Sequence, residues 1–224
     1  MEEDRRRVAR DAVGLGVAVG SYGVSFGAVA VASGLSPAQA CALSLLAFTG
    51  GSQFAYVGVV AAGGSVASAA TSALLLGLRN TLYAVRLAPL LRVRRSRRLL
   101  AAHLTIDETT AMAVAQPIAR DDLGRLAFWV TGATVFACWN LATLLGALVG
   151  QAVDPGRLGL DGAVPAAFLA LLWPRLRVAA ERRVAATGAL LAVAGVLVLP
   201  VGLAVPVAAL GVLAGRPDRV VAAS

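Results

Sequence analysis

The sequence predicts an all-α, polytopic transmembrane helix bundle, and three features carry that prediction. Hydrophobic residues make up 58% of the chain and charged residues only 14%, with mean hydropathy +0.79. A soluble domain usually devotes about a quarter of its residues to charge, so lipid must take the place of water over much of this surface. The apolar residues also fall into long runs, at 12–33, 37–62, 65–91, 99–118, 123–150, 160–177, 184–199 and 201–215. A membrane helix needs roughly 20 such residues, which leaves only short loops and no room for a large soluble domain. Finally, the basic residues gather between the runs instead of covering a face. The net charge is +8, and all 20 basic residues are Arg. That distribution marks cytoplasmic loops and argues against a nucleic-acid partner.

The ends come first. Residues 1–11 form a charged stretch without a signal-peptide cleavage pattern, expected as a cytoplasmic basic tail. Residues 12–215 read as one transmembrane domain, and 216–224 as a second cytoplasmic tail. In the first apolar run, Gly16, Gly20, Gly23 and Gly27 recur at spacings of four, three and four. One helical face therefore carries all of them, a stripe that lets another helix approach closely. Gly146 and Gly150 make a second such pair.

Arginine position sets the expected crossings. The clusters are Arg5 to Arg10, Arg92 to Arg98, Arg120 with Arg125, Arg175 to Arg183, and Arg216 with Arg219. If runs 12–33, 37–62 and 65–91 all span, the densest cluster, at 92–98, falls outside. It falls inside if 37–62 enters and returns on the outer face. Run 99–118 is flanked by arginine at both ends and calls for the same solution. The expectation is six full spans plus two broken or re-entrant segments, against eight spans with one loop breaking the charge rule. Both anomalous runs carry polar interruptions, Thr49-Gly50-Gly51-Ser52-Gln53 and Thr105 to Thr110. Irregular backbone at membrane depth is tolerated only where protein buries it or where it lines a wet cavity.

Charge at a helix centre within the bilayer costs about 2.5–3.5 kcal/mol on insertion scales, so residues that bear it are functional candidates. Gly50 and Gly51 suit a helix break, which exposes backbone N–H groups to a carboxylate. Ser52 and Gln53 add hydrogen-bonding groups, and a packing kink is the plainer alternative. Arg79, 14 residues into its run, suits either a clamp on a substrate carboxylate or an internal ion pair. Asn80 and Tyr83 share one face of that helix. Asp107 and Glu108 are adjacent and point about 100° apart; one suits Arg79, and the other an ammonium group or a proton, since burial raises a carboxyl pKa. Wet, interfacial carboxylates are the alternative. His103, beside the arginine cluster, reads as an interface residue. Asn140 suits a hydrogen bond between helices, and Asp161 a wet position near a segment end. Cys41 and Cys138 lie inside apolar runs and His103 is the one histidine, so no disulfide, metal or other cofactor is expected. An intramembrane hydrolase built on Ser52 and His103 is a rival reading.

These residues carry a resemblance. Phe26-Gly27, the Gly34-Leu35-Ser36-Pro37 turn, Gly51-Ser52-Gln53-Phe54, Leu78 to Tyr83 and Asp107-Glu108-Thr109 are similar to the motifs of the AzlC family of branched-chain amino acid permeases. The likeness is best over 23–92 and 104–150. The chain departs from the usual pattern at Gly77, Asn80 and Ile106, where Asn, His and Thr are common. The resemblance implies a proton-driven exporter of hydrophobic amino acids across the inner membrane, working with a small hydrophobic AzlD-like subunit. Gly50, Gly51, Ser52, Gln53, Phe54, Arg79, Asn80 and Tyr83 are then the expected substrate-binding residues. Asp107 and Glu108 are the expected proton-coupling residues.

Overall fold

The computed structural model describes residues 2–152, 169, 172–173, 175–199 and 207–215, and all regular structure among them is helical. Run 160–177 with Asp161 and Pro165, the stretch 201–206, and Arg216 and Arg219 lie wholly or largely outside the described residues. The helices are α1 (Glu2–Gly20), α2 (Gly23–Ala32), α3 (Pro37–Leu46), α4 (Gly51–Ala61), α5 (Val66–Gly77), α6 (Arg79–Leu91), α7 (Arg98–His103), α8 (Asp107–Val114), α9 (Asp121–Ala152) and α10 (Ala179–Val198). Among the described residues three stretches are long and apolar enough to cross a membrane: Glu2–Ala32, Val66–Leu91 and Asp121–Ala152. The helix at the N-terminus already begins at Glu2, so the charged residues up to Asp11 are helical and continuous with the first apolar run.

The glycine stripe decides how the first and third of these stretches meet. A Cβ at Gly16 would come within 2.6 Å of the Thr134 side chain, and one at Gly20 would overlap the Cys138 Cβ. One at Gly23 would strike the Trp139 carbonyl oxygen, and one at Gly27 that of Thr143. From the other side, a Cβ at Gly146 would strike the Val24 carbonyl. Backbone thus lies against backbone along the whole contact, as small residues permit in lipid. The partner residues rise together along both chains, so α1–α2 and α9 run parallel.

Both polar runs are broken helices. Run 37–62 divides into α3 and α4 around Gly50, whose φ of +59° and ψ of −91° suit a residue without a side chain. The Ser36 hydroxyl starts α3 by accepting the Gln39 N–H at 3.2 Å, and the Gln39 side chain returns a bond to the Ser36 N–H. Ten residues then rise about 15 Å, half of a hydrocarbon core of about 30 Å. The depth of the tip is fixed by Ser44, whose hydroxyl donates to Asn140 Oδ1 at 2.7 Å midway along α9. Beyond the break, α4 packs against α5 and faces back: Gly51 lies beside Leu76 and Arg79, and Ser52 beside Gly77. The run therefore enters and leaves at one end of the molecule.

Run 99–118 repeats the design from the opposite end. Between α7 and α8 the chain turns at Leu104 to Ile106, and Leu104 and Thr109 pack at 3.3–3.4 Å from a Cβ built at Gly132. α8 then returns, its Ala113 carbonyl lying against Gly124 near the start of α9. In each hairpin a residue in the first turn of the second half-helix bonds back to the end of the first. Gln53 Nε2 donates to the Leu43 and Ser44 carbonyls, both at 3.3 Å. The Thr109 hydroxyl accepts the Ile106 N–H at 2.9 Å and donates to the Leu104 carbonyl at 2.8 Å.

Ion pairs gather the arginine clusters at one end. Arg5 lies 3.8 Å from Asp122, Arg120 lies 3.4 Å from Asp4, and Arg92 lies 3.9 Å from Asp121. The N-terminus, the end of α6 and the start of α9 are thus neighbours. Arg92, at the head of the cluster at 92–98, thus lies on the same side as Arg5.

Candidate functional site

The two hairpin tips converge in the middle of the molecule, and Arg79 joins them. This residue opens α6 just past Leu78, where the stretch 66–91 is itself interrupted. Its Nε donates to Asp107 Oδ1 at 3.1 Å and its Nη2 to Asp107 Oδ2 at 3.0 Å, a two-pronged fork on a planar carboxylate. Nη1 donates to the Leu76 carbonyl at 3.1 Å, and Nη2 also reaches the Thr49 carbonyl at 3.5 Å. One guanidinium therefore binds the tip of α7–α8 through Asp107 and the tip of α3–α4 through Thr49. The side chains of Arg79 and Asp107 keep 28% and 42% of their surface open, so the pair is reachable from the adjoining space.

That space is a cavity of about 580 Å³, lined by Val19, Tyr22, Phe48, Thr49, Gly50, Gly51, Phe54, Arg79, Tyr83, Ile106, Asp107, Glu108, Val135 and Trp139. The N-termini of α4 and α8 both open onto it. No side chain caps α4, whose preceding residue is Gly50. Free N–H groups at a helix start carry partial positive charge and favour an anion. Glu108 lines the cavity as well and makes no ion pair among the described residues. One wall thus holds two helix starts, a cation and two carboxylates; the other is aliphatic and aromatic.

Of the residues singled out from sequence, Gly50, Gly51, Phe54, Arg79, Tyr83, Asp107 and Glu108 share this cavity. Ser52 and Asn80 do not line it. Successive helical residues point about 100° apart, so the neighbours of Gly51 and Arg79 turn to the other face of the tip. There they line a separate depression of about 420 Å³ together with Gly77, Thr81, His103 and Thr105. Ser52 Oγ and Asn80 Oδ1 are buried there without a hydrogen-bond partner. Gln53 is fully buried; its Nε2 serves the α3 carbonyls, and its Oε1 has no hydrogen-bond partner. The His103 ring lies at the end of α7 with its centroid 5.9 Å from that of Phe48 and 5.7 Å from that of Phe136. Among the described residues no base hydrogen-bonds Ser52 Oγ, the contact a serine nucleophile needs. Asn140 bridges helices through Ser44, as its position suggested. The wall residues Val19, Tyr22, Val135 and Trp139 were not expected at the site. An aromatic or valine inside an apolar run carries no local signal of facing a cavity.

The AzlC protein family model matches residues 14–153, a stretch that holds both hairpins and every residue of the cavity wall. The inner membrane protein YgaZ of Escherichia coli (strain K12) is 28% identical over 156 residues, covering 66% of this chain. The chain in turn spans 63% of the length of that relative. No solved structure matches the chain. With the family model covering well over half of its length, the chain belongs to the AzlC family of membrane proteins, a transporter family associated with branched-chain amino acids.

Proposed function

We propose that this protein is a secondary transporter that exports branched-chain or other hydrophobic amino acids across the inner membrane, coupled to protons and working with a small hydrophobic AzlD-like subunit. The observation that carries the proposal is the Arg79–Asp107 pair, set between two helix starts and open to a largely apolar cavity. A free α-amino acid presents a carboxylate and an ammonium about one bond angle apart, the complement of that pair. Its carboxylate takes the Arg79 fork and the free N–H groups of Gly51 and its neighbours at the start of α4. Its ammonium takes Asp107. The aliphatic chain leaves water for the apolar wall, worth about 25 cal/mol per Å² buried. Because the pair is already satisfied in the empty site, the substrate exchanges one set of charge contacts for another and brings no net charge into the membrane. Glu108, beside the pair, is the group assigned to proton exchange. With the arginine-rich end facing the cytoplasm, the hairpin α7–α8 faces inward and α3–α4 outward.

Leucine efflux from loaded cells tests the assignment. Arg79→Ala and Asp107→Asn should each lower the initial rate by about tenfold or more, the equivalent of at least about 1.4 kcal/mol. Export at the wild-type rate by both variants removes the site. A non-transporting membrane subunit predicts no thermal stabilisation of the purified protein by branched-chain amino acids. A channel predicts flux that neither saturates nor shows counter-transport.

A further inference from the structure

The charged pair fixes where the two ends of a zwitterion sit, and that leaves Val19, Phe54, Val135 and Trp139 to receive the side chain. Trp139 differs from the others in how firmly it is held. Its backbone lies against the glycine stripe: a Cβ at Gly20 would come 3.0 Å from its N, and one at Gly23 would strike its carbonyl oxygen. Its ring is fixed from two sides. Phe26 stacks on it at 6.1 Å and 24°, and Phe54 meets it edge-on at 6.5 Å and 83°. Only 5% of the residue is exposed, and the cavity is where it borders open space. Its Nε1–H is buried without a partner, whereas a buried indole N–H usually finds one. A ring that cannot retreat sets a fixed limit on what fits beside it, because packed interiors transmit a misfit instead of absorbing it.

We propose that Trp139 is the specificity-determining residue of the site, a rigid stop that admits branched aliphatic side chains and excludes aromatic ones. The proposal rests on the amino-acid reading of the Arg79–Asp107 pair. Removing the indole opens the compartment; placing a ring at Val135, one helical turn earlier, closes it further. Pocket size alone separates substrates by about 10–200-fold per methylene, so changes of this scale are measurable.

The test uses the full chain in proteoliposomes, both alone and reconstituted with a small AzlD-like subunit, with leucine transport competed by alanine, valine, leucine, phenylalanine and tryptophan. Trp139→Ala should improve competition by phenylalanine and tryptophan by about tenfold or more relative to leucine. Trp139→Phe, which keeps a ring, should keep the wild-type order. Val135→Phe should shift preference toward alanine and valine, and it decides the matter if Trp139→Ala does not fold. In a Trp129→Phe, Trp173→Phe background, Trp139 is the one remaining tryptophan, and leucine should change its fluorescence in a saturable way. Leucine binding with an unmoved order of competitors in Trp139→Ala and Val135→Phe overturns the role of Trp139 and leaves the transporter reading standing. A wild-type chain that binds none of the five amino acids, with the small subunit present as well as without it, overturns both.

Discussion

At the residue scale, one amide does more for the fold than for the solute. Gln53 sits inside the motif expected to bind substrate, yet its Nε2 closes the open end of α3 by serving two carbonyls. Buried carbonyls at a helix end need partners, and within a membrane water supplies few of them. Gln53→Leu, of similar size but with no donor, strands the Ser44 carbonyl, while that of Leu43 keeps the Ala47 N–H at 2.9 Å. Thermal unfolding in detergent should show a loss of about 1–3 kcal/mol, with the leucine affinity of the surviving folded fraction unchanged. A folded variant with wild-type stability would return Gln53 to the list of ligand-binding residues. The same residues mark what a sequence makes legible. Arg79, Asp107 and Glu108 stand out because charge in an apolar run demands a reason. Ser52 and Asn80 stand out equally but face away from the cavity, since a one-residue step along a helix turns a side chain through about 100° and composition does not reveal which way.

At the element scale, the breaks are readable and the depth of the tips is not. Gly50-Gly51 and the Leu104 to Ile106 turn interrupt apolar runs too short to be two spans and too long to be loops, so hairpins are the economical solution. What holds each tip at mid-depth is tertiary: Ser44 bonds Asn140, 96 residues away. The interruption at Leu78 was not expected, because Gly77 alone is a weak break signal and helical bonds continue across it from Leu74 to Leu78. The glycine stripe on α1–α2 is legible as a stripe, but its partner is not. Gly27→Ala places a methyl on the Thr143 carbonyl and should reduce folded protein sharply, with a penalty of about 1–3 kcal/mol or more. Gly14→Ala makes the control. Nothing lies within 4 Å of a Cβ there, so replacing glycine inside a helix should raise stability by up to about 1 kcal/mol. Equal behaviour of the two variants, read from size-exclusion yield and melting, would remove the stripe as the main helix contact.

At the scale of the whole molecule, the hairpins enter from opposite ends, and each is followed by a long helical stretch running away from its own entrance. The unit 37–91 begins at the end away from the arginines and finishes at them; the unit 98–152 does the reverse. Transporters built from two such inverted units place their site at the meeting point, where Arg79 and Asp107 lie. No side-chain identity between the units reveals this, which is why a repeat is not visible in the sequence. Labelling with a membrane-impermeant maleimide checks it, in a chain with Cys41 and Cys138 replaced by alanine. Ala62→Cys, exposed at the end of α4, should react in intact cells. Ser96→Cys, exposed in the arginine-rich turn, should react only once the membrane is opened. Reaction of both from one side would rule out opposed hairpins.

The glycine contact between the first helix pair and α9 also has a consequence for how the protein is made. Gly20 and Cys138 are 118 positions apart, and translation proceeds at about 5–20 residues per second. The groove on the newborn first span therefore waits for roughly ten seconds before its true neighbour leaves the ribosome. During that interval it is a notch of bare backbone facing lipid, open to any other small-residue helix nearby. The notch closes only when the third span arrives.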